Sequence, residues 1–259
     1  MLDKIIKNKL LEVEILKSEQ GHTISEVVQM NLPKNSFVES VRDKINNGKN
    51  AIIAELKRCS PSKGYLDEKL DIKVMASLYE KSGAACISVL TDEKFFKGTK
   101  NDLILAKNTS SLPILRKDFI IDESQVIESK VIGADCILLI IACLSRNKFK
   151  SLLDISKSLD LDVLVEVHDE EELDIALDFK CNMIGINNRN LKNFNVSIET
   201  SKVLRKKIID NNIIVISESG IKDLETIMDL NNNNIHAFLI GETLITNDNP
   251  EFLLKKLVN

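Results

Sequence analysis

The sequence predicts an α/β fold, a (β/α)8 TIM barrel with an N-terminal helical extension, on the strength of three observations. Eight short apolar runs recur along the chain, at residues 51–56, 86–90, 113–115, 136–141, 163–167, 183–186, 213–216 and 237–240. They are continuously apolar rather than alternating, the pattern of parallel strands covered on both faces. Stretches with helical periodicity separate them, and such alternation favours a closed parallel barrel over an open doubly wound sheet. The length of 259 residues suits a barrel of this kind, which takes about 250.

Residues 1–50 precede the first run and exceed what a minimal barrel needs. Within them Leu2, Ile5, Ile6, Leu10, Val13 and Leu16 recur at near-helical spacing, which predicts an amphipathic helix. It would either plug one end of the barrel or frame the active-site mouth. After the first run, residues 70–81 place Ile72, Met75, Ala76 and Tyr79 on one helical face. Residues 123–131 place Val126, Ile127, Lys130 and Val131 along a mixed stripe ahead of Gly133, a helix stop. Asp169 stands three positions before Glu172, a capping-box pattern opening a helix over 170–179. Asn46-Asn47-Gly48 and residues 231–234 read as polar turns. No low-complexity linker divides the chain, so a single domain is expected over residues 1–259.

The formal net charge is −4, with acidic and basic residues mixed throughout. No basic run is dense enough for a nucleic-acid track, and no apolar run reaches the roughly 18 residues of a membrane span. The first residues are charged throughout and lack the apolar core of a secretory signal. A cytoplasmic, soluble monomer with no nucleic-acid or membrane partner is expected. The five cysteines, Cys59, Cys86, Cys136, Cys143 and Cys181, are scattered and form no CxxC pair. Free buried thiols are therefore expected rather than a zinc or redox site.

In barrels of this kind the active site lies at the carboxyl ends of the strands. Run one leads through Glu55 and Lys57 into Ser60-Pro61-Ser62-Lys63-Gly64, and run three into Arg116-Lys117-Asp118-Phe119. Run five contains Glu166, run six is followed by Asn187-Asn188-Arg189, run seven by Ser217-Glu218-Ser219-Gly220, and run eight by Gly241-Glu242. A carboxylate inside an apolar strand is costly unless paired. Alternation puts Glu166 on the side of Leu164, so an inward Glu166 needs a cation, for which Lys117 and Lys57 are candidates. Glu55 and Lys57 share strand parity and can enter the same cavity. Such a group can push pKa values apart and separate an acid from a base, although a structural ion-pair layer would look the same. Ser219-Gly220-Ile221, read as leading directly into a helix, and Gly241 one strand later suit a phosphate, which the loops after strands seven and eight of such barrels often hold. Glu166, His168 and Asp169 lie close together, but no second histidine stands nearby, so no metal site is expected and His168 is assigned to the loop or strand cap.

The strings IIAELKRCSPSKG, ISVLTDEKFFKGT, PILRKDFIID, GADCILLI, LVEVHDEEEL, IGINNRNLKNF, ISESGI and FLIGETL resemble, in order, the successive blocks of the indole-3-glycerol-phosphate synthase family. The resemblance implies conversion of 1-(2-carboxyphenylamino)-1-deoxyribulose 5-phosphate into indole-3-glycerol phosphate, carbon dioxide and water in tryptophan biosynthesis, with no cofactor and no metal. By motif, Lys117 matches the general acid that protonates the substrate carbonyl oxygen, and Glu166 the general base of the later dehydration. Lys57 would orient the substrate, Glu55 and Asn187 would hydrogen-bond the reacting centre, and Arg189 would take the anthranilate carboxylate. Ser60, Ser219, Gly220 and Gly241 match positions around the substrate hydroxyls and phosphate, and Glu218 is counted among the substrate-binding residues. Phe96, Phe119 and Leu138 match the apolar walls of the aromatic-ring pocket. Lys117 must be protonated to act as an acid, and burial is expected to lower its pKa only modestly.

Two positions depart from the family pattern. Cys59 stands where a small residue such as Ala is usual, and Glu242 where some members carry Ser. A carboxylate beside a phosphate would repel it, so Glu242 is expected to point away. The eighth run lies close to residue 259, so the fused isomerase of some relatives is not expected. The ELK, RKDF and LVEV blocks argue against phosphoribosylanthranilate isomerase, expected to use a Cys base and an Asp acid. The filled acid and base positions argue against a non-catalytic phosphate-binding barrel.

Overall fold

The computed structural model describes residues 1–19, 21–191 and 193–259; Lys192 of the IGINNRNLKNF string lies outside them. Eight parallel strands close a barrel: β1 (Ala51–Leu56), β2 (Cys86–Leu90), β3 (Ile114–Lys117), β4 (Cys136–Ile140), β5 (Asp162–Val167), β6 (Met183–Asn187), β7 (Ile214–Glu218) and β8 (Ala237–Ile240). Each pairs with its sequence neighbour, and the seam closes where Ala51 of β1 aligns with Ala237 of β8. All eight runs become strands, but β3, β6 and β7 extend past the predicted ends to take in Lys117, Asn187 and Glu218.

Alternation sorts the strand residues into two cores. Val165, Val167, Ile184, Ile186 and Val89 face the surrounding helices, whereas Ile53, Leu115, Leu138, Leu164 and Ile216 fill the barrel interior. The outer ring comprises α4 (Ile72–Lys81), α5 (Lys100–Thr109), α6 (Glu123–Val131), α7 (Arg146–Ser158), α8 (Glu170–Asp178), α9 (Glu199–Arg205), α10 (Leu224–Asn231) and α11 (Pro250–Val258). Asp71, Asp122, Asp169 and Asp223 cap α4, α6, α8 and α10 through side-chain oxygens, satisfying N–H groups that a helix start leaves unpaired. On α4 the predicted face is buried at Ile72, Ala76 and Tyr79 and half-buried at Met75. Two predictions of helix starts need correction. The Asp169 box is only half formed, because Glu172 turns its carboxylate to His168 instead of the Asp169 N–H. And α10 begins only at Leu224, behind its Asp223 cap, rather than directly after Gly220.

The extension is three helices rather than one: α1 (Leu2–Ser18), α2 (Ile24–Gln29) and α3 (Phe37–Asn46), before β1. The two predicted roles fall to different helices. Phe37, Val38 and Val41 of α3 join the interior core and plug the amino end of the barrel. Leu2 and Ile5 of α1 reach the mouth cavity at the other end. On α1 the predicted stripe is wrong at one place: Leu10 is 53% exposed, while Lys9 is 2% exposed. Lys9 Nζ lies 2.6 Å from Glu12, 2.8 Å from Asp118 and 3.2 Å from Asp92, so a buried cation ties α1 to the loops after β2 and β3. All five cysteines are free thiols, four of them buried.

Candidate active site

Glu55, Lys117, Glu166 and Glu218 come from β1, β3, β5 and β7, the alternate strands whose inward side chains share one layer of such a barrel. Here that layer is ionisable throughout. Lys117 Nζ donates to Glu218 Oε2 at 2.7 Å and lies 3.4 Å from Glu166 Oε2. Glu55 Oε1 accepts from Lys57 Nζ at 2.5 Å, so the shared parity of that pair becomes a direct contact. Asn187, at the end of β6, donates to Glu166 Oε1 at 3.1 Å. Of the two candidate cations for Glu166, Lys117 is the one in contact with it, whereas Lys57 pairs with Glu55; for Lys117 that contact is the longer of two. Glu218 is its nearer partner.

Packing makes room for these carboxylates on the intervening strands. A Cβ built on Gly185 of β6 would collide with Glu218 Oε1, and one on Gly241 with the Glu55 carboxyl group. Gly241 thus serves the charged layer as well as the end of β8. Glu218 Oε1 is buried with no hydrogen-bond partner among the described residues. Burial pushes the Glu218 carboxyl up to about 7, with Glu166 and Glu55 opposing its charge and Lys117 only partly relieving it. Glu166 moves the other way: Lys117, His168 and Asn187 outweigh burial and hold it well below the usual carboxylate range. Lys57 and Lys117 likewise hold Glu55 low against burial. The expected lowering of Lys117 is reversed. Burial alone would lower it, but Glu218, Glu166 and Glu55 together raise it above an ordinary lysine.

Above this layer opens a cavity of about 450 Å³ lined by every predicted site residue. Phe96 and Phe119 pack against each other in its wall, ring centroids 6.1 Å apart and planes tilted by 37°, and Leu138 also lines it. Arg189 follows β6, its N–H donating to Asn187 Oδ1 at 3.0 Å and its guanidinium reaching the Phe194 carbonyl at 3.5 Å. No carboxylate among the described residues pairs with it. At the far side Ser219 and Gly220 adopt left-handed φ of 65° and 82° in succession, and a Cβ on Gly220 would fall 2.6 Å from Val196. Gly241 opens a short helix over Glu242–Ile245. Ser60 Oγ is buried and without a partner among the described residues. Glu242 lines the cavity with Lys63 Nζ at 3.7 Å, so its charge is compensated rather than turned fully away.

A family model described as indole-3-glycerol phosphate synthase matches residues 2–257. The chain belongs to the indole-3-glycerol phosphate synthase family. It is 43% identical over 258 residues to the indole-3-glycerol phosphate synthase of Polaromonas sp. (strain JS666), covering 99% of this chain and 97% of that one. It is 44% identical over 248 residues to that of Caldanaerobacter subterraneus subsp. tengcongensis, covering 96% and 94%. Among solved structures, the tryptophan synthase subunit alpha of Legionella pneumophila str. Paris superposes with a TM-score of 0.63 at 13% identity, covering 86% of this chain and 97% of that one, a likeness of fold. Membership of the indole-3-glycerol phosphate synthase family makes the chain a carboxy-lyase and its barrel a biosynthetic one.

Two residues of this synthase escape a reading of motifs. His168 lies in the bend just after β5, as expected of a loop or strand-cap residue, but its ring also stands 3.3 Å from Glu166 Oε1; it follows Leu164 and Glu166 in parity, which could have placed it on their side. Gly185 sits inside an apolar strand, where a glycine marks a close approach, here that of Glu218.

Proposed function

We propose that the chain performs the family reaction, decarboxylative ring closure and dehydration of 1-(2-carboxyphenylamino)-1-deoxyribulose 5-phosphate, with Lys117 as general acid and Glu166 as general base. The supporting observation is the lysine held among three carboxylates at the floor of a cavity with aromatic walls. Lys117 is fully protonated at neutral pH and can donate to the substrate carbonyl oxygen as the ring closes. Negative charge developing there would be stabilised by a fixed cation in a site with little water. Glu166 is ionised and so able to take up a proton in the dehydration. Glu218, near neutrality, is suited to exchanging a proton with Lys117 at working pH.

Phe96, Phe119 and Leu138 would hold the aryl ring, Arg189 its carboxylate, and Asn187, Glu55 and Lys57 the reacting chain. The phosphate would lie against Ser219, Gly220 and Gly241, with Ser60 toward the sugar hydroxyls. No helix among the described residues is long and apolar enough to cross a membrane. With charges of both signs mixed along the chain, we read it as a cytoplasmic monomer with no nucleic-acid partner.

The test is turnover of the carboxyphenylamino-deoxyribulose phosphate by purified protein, followed by indole fluorescence and repeated with chelator. Lys117→Ala should lower kcat by about 10²–10⁴-fold. A near-normal kcat in that variant would refute the assignment of the acid.

A further inference from the structure

The ring of His168 lies just beyond β5 with 10% of its side chain exposed. Nδ1 stands 2.9 Å from Glu172 Oε2, and the His168 backbone N–H donates to that same oxygen at 2.8 Å. Nε2 stands 3.3 Å from Glu166 Oε1, the oxygen that also accepts from Asn187. Both ring nitrogens thus face carboxylates, Nδ1 through a hydrogen bond and Nε2 through a charge contact at 3.3 Å that lacks hydrogen-bond geometry. That contact leaves the buried Nε2 with no hydrogen-bond partner among the described residues, and a doubly protonated ring suits both nitrogens. Glu172 is itself fixed: it occupies the first turn of α8, where negative charge is favoured, and its N–H is capped by Asp169.

We propose that His168 is a positioning residue, an imidazolium clamped between Glu172 and Glu166 that orients the Glu166 carboxylate and keeps it ionised. This rests on the reading of Glu166 as the base. Its use follows from the charge layer. Lys117 lies nearer to Glu218 than to Glu166, and as an acid it gives up its proton, so Glu166 needs a cation that is not consumed. His168 supplies one from the side away from Lys117.

The groups around this ring come from five parts of the chain. Glu166 is on β5 and Glu172 on α8; Cys143 lies after β4; Asn187 is on β6 and Lys117 beyond Glu166 on β3. Burial, with Glu166 and Glu172 nearby, pushes the Cys143 thiol up to about 12, so it stays neutral and does not compete for the ring proton. The two carboxylates outweigh burial and raise His168 to about 10, so the clamp stays charged across the working pH range.

The experiment compares kcat and KM against pH for the wild type, His168→Phe, His168→Gln and Glu166→Gln, with melting by circular dichroism. Removing a cation this close should move the acid limb of the kcat profile up by about one to three pH units. His168→Phe should also lose kcat about tenfold to hundredfold, with KM changed far less, as expected for a residue acting through a base worth about 10²–10⁴. His168→Gln, which keeps an N–H for Glu166 but no charge, should recover part of kcat while the acid limb stays displaced. A His168→Phe protein with lowered melting temperature but an unmoved acid limb would overturn the proposal, leaving only a structural role. If that variant does not fold, the acid limb of His168→Gln decides: displaced supports the clamp, unmoved overturns it. Full activity in Glu166→Gln would instead sink the assignment of the base itself. A dead Glu166→Gln beside wild-type behaviour in both His168 variants would sink the clamp alone.

Discussion

Replacing Lys9 by methionine keeps all but the last atom of the side chain's length and removes its charge from a cluster in which Lys9, Asp92 and Asp118 are each at most 2% exposed. Asp118 would retain Arg116 at 3.4 Å, the Thr91 hydroxyl at 2.5 Å and the Phe119 N–H at 2.8 Å. Asp92 fares worse. Its Oδ1 accepts from the Phe95 N–H at 2.8 Å, but its Oδ2 has Lys9 as its ionic partner and no hydrogen bond. Breaking a buried pair from one side costs about 3–5 kcal/mol, because the remaining charge is left uncompensated. A drop in melting temperature on the order of 10 °C follows for a chain of this size.

The pH dependence of that loss is a second check. Lys9 and Arg116 outweigh burial and hold the Asp118 carboxyl at about 2, against an ordinary 3.8. A carboxyl with a depressed folded pKa stabilises the fold fully above its unfolded value and loses that effect as pH falls through the folded value. The shift corresponds to roughly 2 kcal/mol. The gap between wild type and Lys9→Met should therefore be widest at neutral pH and close between about pH 4 and pH 2. Far-UV circular dichroism is the suitable probe, since the chain has no tryptophan. A gap below about 1 kcal/mol at neutral pH, or one unchanged at pH 2.5, would refute the buried-pair reasoning.

Three further outcomes are expected. Gly185→Ala should displace the Glu218 carboxylate and lower kcat at least about tenfold in a protein with an unchanged circular dichroism spectrum; a kcat within threefold of wild type would show that the space is not needed. Glu218→Gln removes a carboxyl whose folded pKa lies above its unfolded one, so wild-type stability should fall by roughly 3 kcal/mol between about pH 4.5 and 7 while the variant's falls less. Melting curves at pH 5 and pH 8 read this directly, and parallel changes in both proteins would contradict it. Arg189→Lys should raise KM about tenfold with a smaller change in kcat, because a lysine cannot grip a carboxylate with two parallel bonds; an unaltered KM would move the carboxylate elsewhere.

The barrel was legible because parallel strands covered on both faces must be continuously apolar, and eight such runs stood out. Their ends were less so. Lys117, Asn187 and Glu218 lie within strands, but the mouth of the barrel demands ionisable groups there and so truncates the apolar pattern. On α1, hydrophobic periodicity chose Leu10 over Lys9, since a buried cation is visible only through Asp92 and Asp118, far along the chain. Strand parity sufficed to bring Glu55 to Lys57, and it turned Glu166 inward while leaving Lys117 and Lys57 both open as its cation. It could not rank Glu218 as the nearer partner of Lys117, because that depends on how the strands are staggered around the barrel. The capping box at Asp169 failed for a local reason: Glu172 takes both the backbone N–H and the ring Nδ1 of His168 in place of the Asp169 N–H.

The seam has a kinetic side. Strand β1 cannot complete its pairing until β8 exists, and Asn50, just before it, is bound by the Val258 carbonyl at 3.0 Å and the Leu257 carbonyl at 2.8 Å. During synthesis the first strand therefore waits with an open edge until β8 has been made, about 180 residues later. Contacts so distant along the chain slow folding, and unpaired apolar edges invite association with other chains. Truncation ahead of Leu257 would remove the Leu257 and Val258 anchors, so such shortened chains should accumulate as aggregates rather than as weakened enzyme.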